Sequence, residues 1–259
     1  MSKFKNIVVK IGSSTLTNKS GNLDTANLKR VAGELAKLIR SGKKITVVTS
    51  GAIVSGSDRL KFNKKPKTIL EKQVAAAVGQ SLLMREYAKA FDEHGITVAQ
   101  ILLTRDEVSN KERYTNTKNT LSKLLKMGVV PIVNENDTVS VEEIKIGDND
   151  NLSAIVARLI GADLLIMLTD VDGFMMKDDN GKLAVVHEIK EITGKVKDAA
   201  GHPSTHQGVG GMITKIQAAQ ICLNAGVDAA IANGRTAGTM AKVIAGGKVG
   251  TTFRSKGKR

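Results

Sequence analysis

Apolar runs of strand length recur along the chain, each followed by a small or polar turn and then by residues at helical spacing. Phe4 to Ile11 alternates weakly and condenses to Ile7-Val8-Val9, the pattern of a buried strand. That strand ends in Lys10-Ile11-Gly12-Ser13-Ser14. Asp24 is placed to cap a helix whose apolar positions Leu28, Val31, Leu35, Leu38 and Ile39 keep helical spacing, and Gly42 closes it. Lys44 to Thr49 predicts the next strand, which runs out at Thr49-Ser50-Gly51-Ala52. Strand, helix, strand and a small-residue turn form a βαβ unit, so the sheet is expected to be mostly parallel.

Beyond a basic loop from Lys61 to Lys67, a long helix is predicted from Ile69 to Glu93 and a strand from Thr97 to Leu103. A helix from Thr115 to Met127 leads into a buried strand from Gly128 to Val133, which delivers the chain to Asn134-Glu135-Asn136-Asp137. Val139 to Ile146 has the pattern of a short hairpin, Asn151 to Ile160 that of a helix, and Asp163 to Leu168 that of a strand ending at Thr169-Asp170-Val171-Asp172-Gly173. Phe174 to Glu188 predicts a hairpin turning at Asp178-Asp179-Asn180-Gly181. The glycine run Gly208-Val209-Gly210-Gly211-Met212 opens a helix from Ile213 to Asn224. A strand from Val227 to Ala232, a helix from Thr239 to Ile244 and a short strand from Gly250 to Phe253 complete the pattern. No internal repeat or linker interrupts it, so residues 1–259 read as one α/β domain, with a lobe division near Val171.

Charge adds a contrast. The net charge is +14, yet Asn134 to Asn151 holds six carboxylates: Glu135, Asp137, Glu142, Glu143, Asp148 and Asp150. A basic field concentrates anionic substrates and also suits nucleic acid. The lysines are spread along most predicted helices, and none of the seven aromatics interleaves with the basic tail from Arg254 to Arg259, so base-stacking platforms are poorly supplied and nucleic acid is not an expected partner. A lone cysteine, Cys222, excludes a disulfide framework within the chain and reads as a small buried hydrophobe. No window reaches the ~18 uncharged apolar residues of a membrane span, and Met1-Ser2-Lys3-Phe4-Lys5 has no cleavage pattern, so no membrane partner and a cytoplasmic location are expected. His94, His187, His202 and His206 lack metal spacing, and no side chain is assigned as a metal ligand.

The candidate chemistry lies where strands end. Lys10-Ile11-Gly12, Ser50-Gly51-Ala52, Asn134 to Asp137 and Thr169-Asp170 each follow a predicted strand. In an open parallel sheet, ligands bind at the carboxyl ends of the strands. Gly208 to Lys215 adds a glycine run at a helix start with a lysine one turn in, a pattern suited to phosphate, although it matches neither a P-loop nor a dinucleotide fingerprint.

These segments resemble the glutamate 5-kinases of the wider amino acid kinase family. The resemblance rests on Lys10-Ile11-Gly12-Ser13-Ser14, Thr49-Ser50-Gly51-Ala52-Ile53, Gln100 to Glu107, Asn134 to Val139 and Gly147 to Ala154. It continues through Leu168 to Gly173, Gly210-Gly211-Met212-Ile213-Thr214-Lys215 and Ile231-Ala232-Asn233-Gly234-Arg235, in order over essentially all 259 residues. It implies a three-layer αβα sandwich, a glutamate-binding part over about residues 1–170, a nucleotide-binding part over about 171–253 and a basic tail at 254–259. It implies ATP and Mg²⁺, L-glutamate as acceptor, L-glutamyl 5-phosphate as product, and a place at the first step of proline synthesis. Proline as feedback inhibitor, a homo-oligomer and a glutamyl phosphate reductase as partner are further expectations.

By the same resemblance, Lys10, Lys215 and Asp150 are the catalytic candidates, with Lys10 on the transferring phosphoryl group, Lys215 on the β–γ side and Asp150 holding both ammonium groups. Ser50, Gly51, Ala52, Asp137, Asp148 and Asn149 are assigned to the amino acid. Lys10, Thr169, Asp170, Val209, Gly210, Gly211, Met212, Ile213, Thr214 and Lys215 are assigned to the nucleotide. The chain departs from the family at Val209, where a threonine is common, and at Phe174-Met175-Met176, where Leu-Tyr is usual. Relatives often carry a further C-terminal RNA-binding-type domain, and a short form without it is expected here. The rivals are a kinase of the same fold acting on carbamate, acetylglutamate, aspartate or UMP, and an RNA-binding protein built on a kinase-like fold.

Overall fold

The computed structural model describes residues 3–62, 64–104, 110–139, 149–177, 181–201 and 211–256. Its frame is an eight-stranded sheet in the order β3-β4-β2-β1-β5-β9-β10-β8. The strands are β1 (Asn6–Ile11), β2 (Lys44–Thr49), β3 (Val98–Leu103), β4 (Val130–Glu135), β5 (Leu164–Thr169), β8 (Glu188–Ile189), β9 (Asp228–Asn233) and β10 (Thr251–Phe253). The pairs from β3 across to β9 are all parallel; β10 pairs antiparallel with β9, and β8 pairs parallel with β10, so these two edge strands run opposite to the rest. A separate hairpin joins β6 (Met175–Lys177) to β7 (Leu183–Val185), and its predicted turn at 178–180 lies outside the described residues.

Strand periodicity sends neighbouring residues to opposite faces of the sheet. Ile7, Val9, Ile45 and Val47 face one core, which includes Leu28, Val31 and Leu35 of α2 (Thr25–Arg40) and Leu83, Tyr87 and Phe91 of α4 (Ile69–Asp92). Val8, Val48, Leu165 and Met167 face the other, with Val156 of α6 (Asn149–Leu159) and Ala218 and Cys222 of α8 (Met212–Asn224). The result is the expected three-layer αβα sandwich. Cys222 is fully buried, and burial pushes its thiol up to about 12, the behaviour of a packing residue.

Several helix boundaries differ from the sequence reading. Asp24 caps α2 as expected, its side chain accepting from the Asn27 amide. Helix α5 (Lys111–Lys126) starts four residues before Thr115, because Asn110 caps it by accepting from the Glu112 and Arg113 amides. Helix α7 (Gly194–Gly201) was not anticipated, since two glycines bound it and it carries little apolar pattern. Short helices α1 (Ser13–Leu16) and α3 (Ala52–Arg59) follow β1 and β2, and α9 (Thr239–Ile244) matches its prediction.

The packing of α3 on α4 positions the site most directly. A Cβ on Gly56 would lie 1.7 Å from the Ala75 carbonyl oxygen, and one on Gly79 would lie 1.8 Å from that of Ala52. Only glycine admits this backbone approach, and it holds the start of α3 against the middle of α4. At the far side, the expected basic tail is partly tied down: Arg254 Nη1 lies 3.1 Å from Asp228 Oδ2, and the Ser255 amide donates to Asp228 Oδ1.

Candidate active site

The four candidate strand ends belong to β4, β2, β1 and β5, which are consecutive neighbours in the sheet. Parallel pairing places all four carboxyl ends on one edge. The sequence could name the turns but not their order, because strand order depends on long-range packing.

At the centre, Lys10 from β1, Asp150 from the first turn of α6 and Lys215 from the first turn of α8 meet. Lys10 Nζ lies 2.7 Å from Asp150 Oδ1, and Lys215 Nζ lies 3.2 Å from Asp150 Oδ2. The lysine side chains are 7% exposed and the carboxylate 1%. Thr214 Oγ1 donates to Asp150 Oδ2 at 2.7 Å, so the carboxylate is gripped from three side chains. Burial alone would raise its pKa, but the charges of Lys10 and Lys215 and the bonds from Lys10 and Thr214 outweigh that and hold it at about 2. Burial also pushes the Lys215 ammonium below its usual value, with Asp150 opposing. Among the buried groups here two cations face one anion, while the charge of the exposed Asp170 also acts on Lys215; the two ammonium groups are suited to phosphate oxygens.

A second cluster lies beside it. Asn149 Nδ2 donates to Ser50 Oγ at 3.0 Å and lies 3.1 Å from Asn134 Oδ1, while Asn134 Nδ2 donates to Gln80 Oε1 at 2.9 Å. An amide chain thus runs from α4 through the end of β4 to the start of α6 and the turn after β2. Tyr87, a further two turns along α4, hydrogen-bonds Thr49 Oγ1 at 2.7 Å, and that hydroxyl lies 2.9 Å from the Ser50 carbonyl oxygen. The Asn149 Oδ1 and Gln80 Nε2 atoms are buried with no hydrogen-bond partner among the described residues.

Asp137 follows β4 and lines a cavity of about 300 Å³ together with Gln80, Gln100, Leu102 and Glu135. Burial first, and the Glu135 charge second, raise its carboxyl to about 7. Among the described residues no cation contributes to its titration. Gln80 and Tyr87 were missed in the sequence. Their only signal is a polar residue beside Gly79 in a run of small apolar ones, and a tyrosine on the buried face of α4.

The remaining candidates are placed as follows. Thr169 is buried at the end of β5, with its hydroxyl 3.1 Å from Asp170 Oδ1, and Asp170 is exposed. Gly211 and Ile213 are exposed at the start of α8, and Met212 is half-buried against the core. Gly51 adopts a left-handed conformation as N-cap of α3, with Ala52 buried behind it. Asp148, Val209 and Gly210 lie outside the described residues, as do Glu142, Glu143, His202 and His206. Phe174 is buried in the core, so of the three departures there Met175 alone is exposed, at 41%. Among the described residues no group of three or more His, Cys, Asp or Glu side chains could hold a metal ion, and no helix is long and apolar enough to cross a membrane.

The sequence profile of the amino acid kinase family matches residues 5–233. Glutamate 5-kinase of Caldanaerobacter subterraneus subsp. tengcongensis is 49% identical over 249 residues, which are 95% of this chain and 67% of that protein. The glutamate 5-kinase of Moorella thermoacetica is 45% identical over 255 residues, 98% of this chain and 68% of that one. Among solved structures, carbamate kinase from Giardia lamblia bound to AMP-PNP superposes with a TM-score of 0.68 over 99% of this chain and 100% of that one, at 19% identity, a likeness of fold alone. The chain therefore belongs to the amino acid kinase family and, within it, to the glutamate 5-kinases.

Proposed function

We propose that this chain transfers the γ-phosphoryl group of ATP to the side-chain carboxylate of L-glutamate, giving ADP and L-glutamyl 5-phosphate for proline synthesis. The observation that carries the reading is the buried Lys10–Asp150–Lys215 centre with the amide cluster of Asn149 and Ser50 beside it. One half suits polyphosphate, and the other suits an amino acid.

The acceptor carboxylate has a pKa of about 4.3 and is ionised at neutral pH, so the step needs no general base. The obstacle is the approach of one anion to another. Catalysis is then positioning and charge neutralisation. Lys10 acts on the transferring phosphoryl group and Lys215 on the side where charge gathers on ADP. Asp150 is a positioning residue, because both of its oxygens are committed to the two ammonium groups. Mg²⁺, carried in by the phosphates and their water, would supply further charge neutralisation there; no cluster of acidic side chains among the described residues stands ready to hold it without them. Thr169, Asp170 and the start of α8 are assigned to the nucleotide.

For the amino acid, Asp137 and the unpartnered Asn149 Oδ1 are the acceptors for its ammonium group. The amides that begin α3 after Ser50 are the donors for its α-carboxylate. Proline as a feedback inhibitor and a reductase that takes the labile acyl phosphate are part of the proposal. A homo-oligomer is proposed too, and Leu70 (69% exposed) and Val74 (42%), one turn apart on α4, support it.

The test is a hydroxamate trap with ATP, Mg²⁺, hydroxylamine and a panel of amino acids and carboxylates. Product with glutamate alone is expected. Product with aspartate or acetylglutamate in its place, or with none of the panel, overturns the assignment.

A further inference from the structure

The Asn233-Gly234-Arg235 segment, prominent in the sequence and given no part in the chemistry so far, joins the segment that follows Lys10 to the turn that holds Thr169 and Asp170, both next to groups that the kinase reading assigns to the nucleotide. Arg235 Nη2 donates to the carbonyl oxygens of Ser14 at 2.7 Å and Thr17 at 2.6 Å. Its Nη1 lies 3.2 Å from Asp24 Oδ2, on the residue that caps α2. The Arg235 backbone amide donates to Asn233 Oδ1, and Asn233 Nδ2 donates in turn to Asp172 Oδ1 at 2.8 Å. The Gly234 amide donates to the Thr169 carbonyl at 2.7 Å, and its carbonyl accepts from Arg30 Nη2. A Cβ on Gly234 would lie 2.7 Å from Thr15 Cγ2 and 2.9 Å from Leu168 Cβ, so the backbone here is pressed directly onto the turn after β1.

These contacts link residues 211 to 221 positions apart, one set in the turn that follows Lys10 and the other beyond β9. The same segment holds the Thr169–Asp172 turn at the end of β5. The guanidinium fork suits this task. It reaches two carbonyls and a carboxylate from its two terminal nitrogens, a fork that a lysine ammonium cannot reproduce. The side chain is 42% exposed and outside both cores, so its contacts serve the geometry of the turns more than the stability of the fold.

We propose that Arg235 is a positioning residue for nucleotide binding, setting the separation between the α1 segment (Gly12–Thr17) and the Thr169–Asp172 turn. The proposal rests on the kinase reading above for the identity of the ligand. Calorimetric titration of Mg²⁺–AMP-PNP into wild type, Arg235→Ala, Arg235→Lys and Asp24→Asn tests it, with glutamate KM and melting temperature measured alongside. Arg235→Ala is expected to weaken AMP-PNP about tenfold, the size of one lost hydrogen bond to a charged group. Arg235→Lys should recover less than half of the loss on a logarithmic scale. Asp24→Asn keeps the helix cap and should weaken binding about two- to threefold by removing the charge partner. Glutamate KM should stay within about twofold throughout. AMP-PNP affinity within twofold of wild type in Arg235→Ala overturns the proposal. So does a loss matched by an equal rise in glutamate KM and a large fall in melting temperature, because that is general weakening. Should Arg235→Ala fail to fold, Arg235→Lys and Asp24→Asn decide, and wild-type affinity in both overturns it. A wild type that binds AMP-PNP but phosphorylates no glutamate sinks the kinase assignment and leaves this comparison standing.

Discussion

The two ends that we assign to phosphate and to the amino acid pose opposite electrostatic problems. At the end that we assign to phosphate, two buried lysines share one carboxylate, each ammonium group beside one of its oxygens. At the amino-acid end, Asp137 is half-buried near Glu135, no cation among the described residues contributes to its titration, and its carboxyl is raised to about 7. A place that receives an anion keeps its cations in fixed positions by lending them an internal counter-ion. A place proposed to receive a cation presents a carboxyl that burial and the Glu135 charge push toward its neutral form, which the ligand's charge opposes. The first arrangement is rigid and costs little to organise at the moment of reaction; the second stores an unfavourable interaction that substrate relieves.

Removing the internal counter-ion is the strongest way to break the contrast. Asp150→Ala leaves two buried ammonium groups facing each other, and breaking a buried pair in this way costs about 3–5 kcal/mol. We expect the melting temperature to fall accordingly, and kcat to fall about a thousandfold because both ammonium groups that neutralise the transferring phosphoryl group lose their fixed positions at once. The pH sign follows from the depressed pKa. The stabilisation by Asp150 is fully present above the unfolded value near 4 and is lost as pH falls toward 2. A melting curve of the variant should therefore lose that part of the acid sensitivity of wild type between pH 4 and 2; an unchanged acid limb would show that Asp150 is not held as described.

Lys215→Ala is expected to be next in size. Its interaction grows as charge develops on ADP, so kcat should fall about 10²–10³-fold while glutamate KM changes little. Steady-state kinetics with both substrates varied would decide this, and an unaltered kcat would remove Lys215 from the transfer step.

Asp137→Asn probes the other end and should act on KM. Losing a charged partner for the ammonium group is expected to raise glutamate KM about 10–100-fold with kcat within a few-fold. The pH dependence is a sharper test. In the free enzyme Asp137 takes up a proton below about pH 7, while substrate ammonium favours its ionised form, so wild-type glutamate KM should fall as pH rises from about 6 to 7.5. In Asp137→Asn that slope should vanish. A variant that keeps the slope would place the titrating group elsewhere.

Most of the sheet was legible in the sequence, because Ile7-Val8-Val9 and Val129-Val130 with Ile132-Val133 are apolar runs that only a two-faced buried strand accommodates. Lys10, Asp150 and Lys215 were legible through the motifs that hold them, and their convergence was an inference from the roles those motifs carry in relatives. What could not be read is whatever depends on a distant neighbour. The closeness of α3 and α4 at Gly56 and Gly79 looks in sequence like two weak points in helices. Asn233-Gly234-Arg235 stands out in sequence only by its likeness to relatives; that Arg235 bonds to residues 211 or more positions away cannot be read from it. Helix α7 escaped because propensity and periodicity are both weak there, and docking on α8 holds it.

The smallest expected effect belongs to the amide chain, and it tests whether the amino-acid end is organised from α4. Gln80 makes no claim to touch substrate. It accepts from Asn134, which meets Asn149, which reaches Ser50, so its influence passes through three hydrogen bonds. The glycine contact of α4 with α3 fixes where Gln80 stands, one residue after Gly79. Gln80→Leu keeps the bulk and removes the acceptor, leaving the Asn134 amide group buried without that partner. A single neutral hydrogen bond contributes about 0.5–1.5 kcal/mol, so glutamate KM should rise about 3–10-fold. Because Lys10, Asp150 and Lys215 are untouched, kcat and AMP-PNP affinity should stay within about twofold. Gln80→Glu, which keeps the acceptor, should restore the bond but add an anion near Asp137, and so move the glutamate pH profile further upward. If Gln80→Leu instead lowers kcat and leaves KM unchanged, the amide chain supports the phosphate end, and the division of the site into two separately organised halves fails.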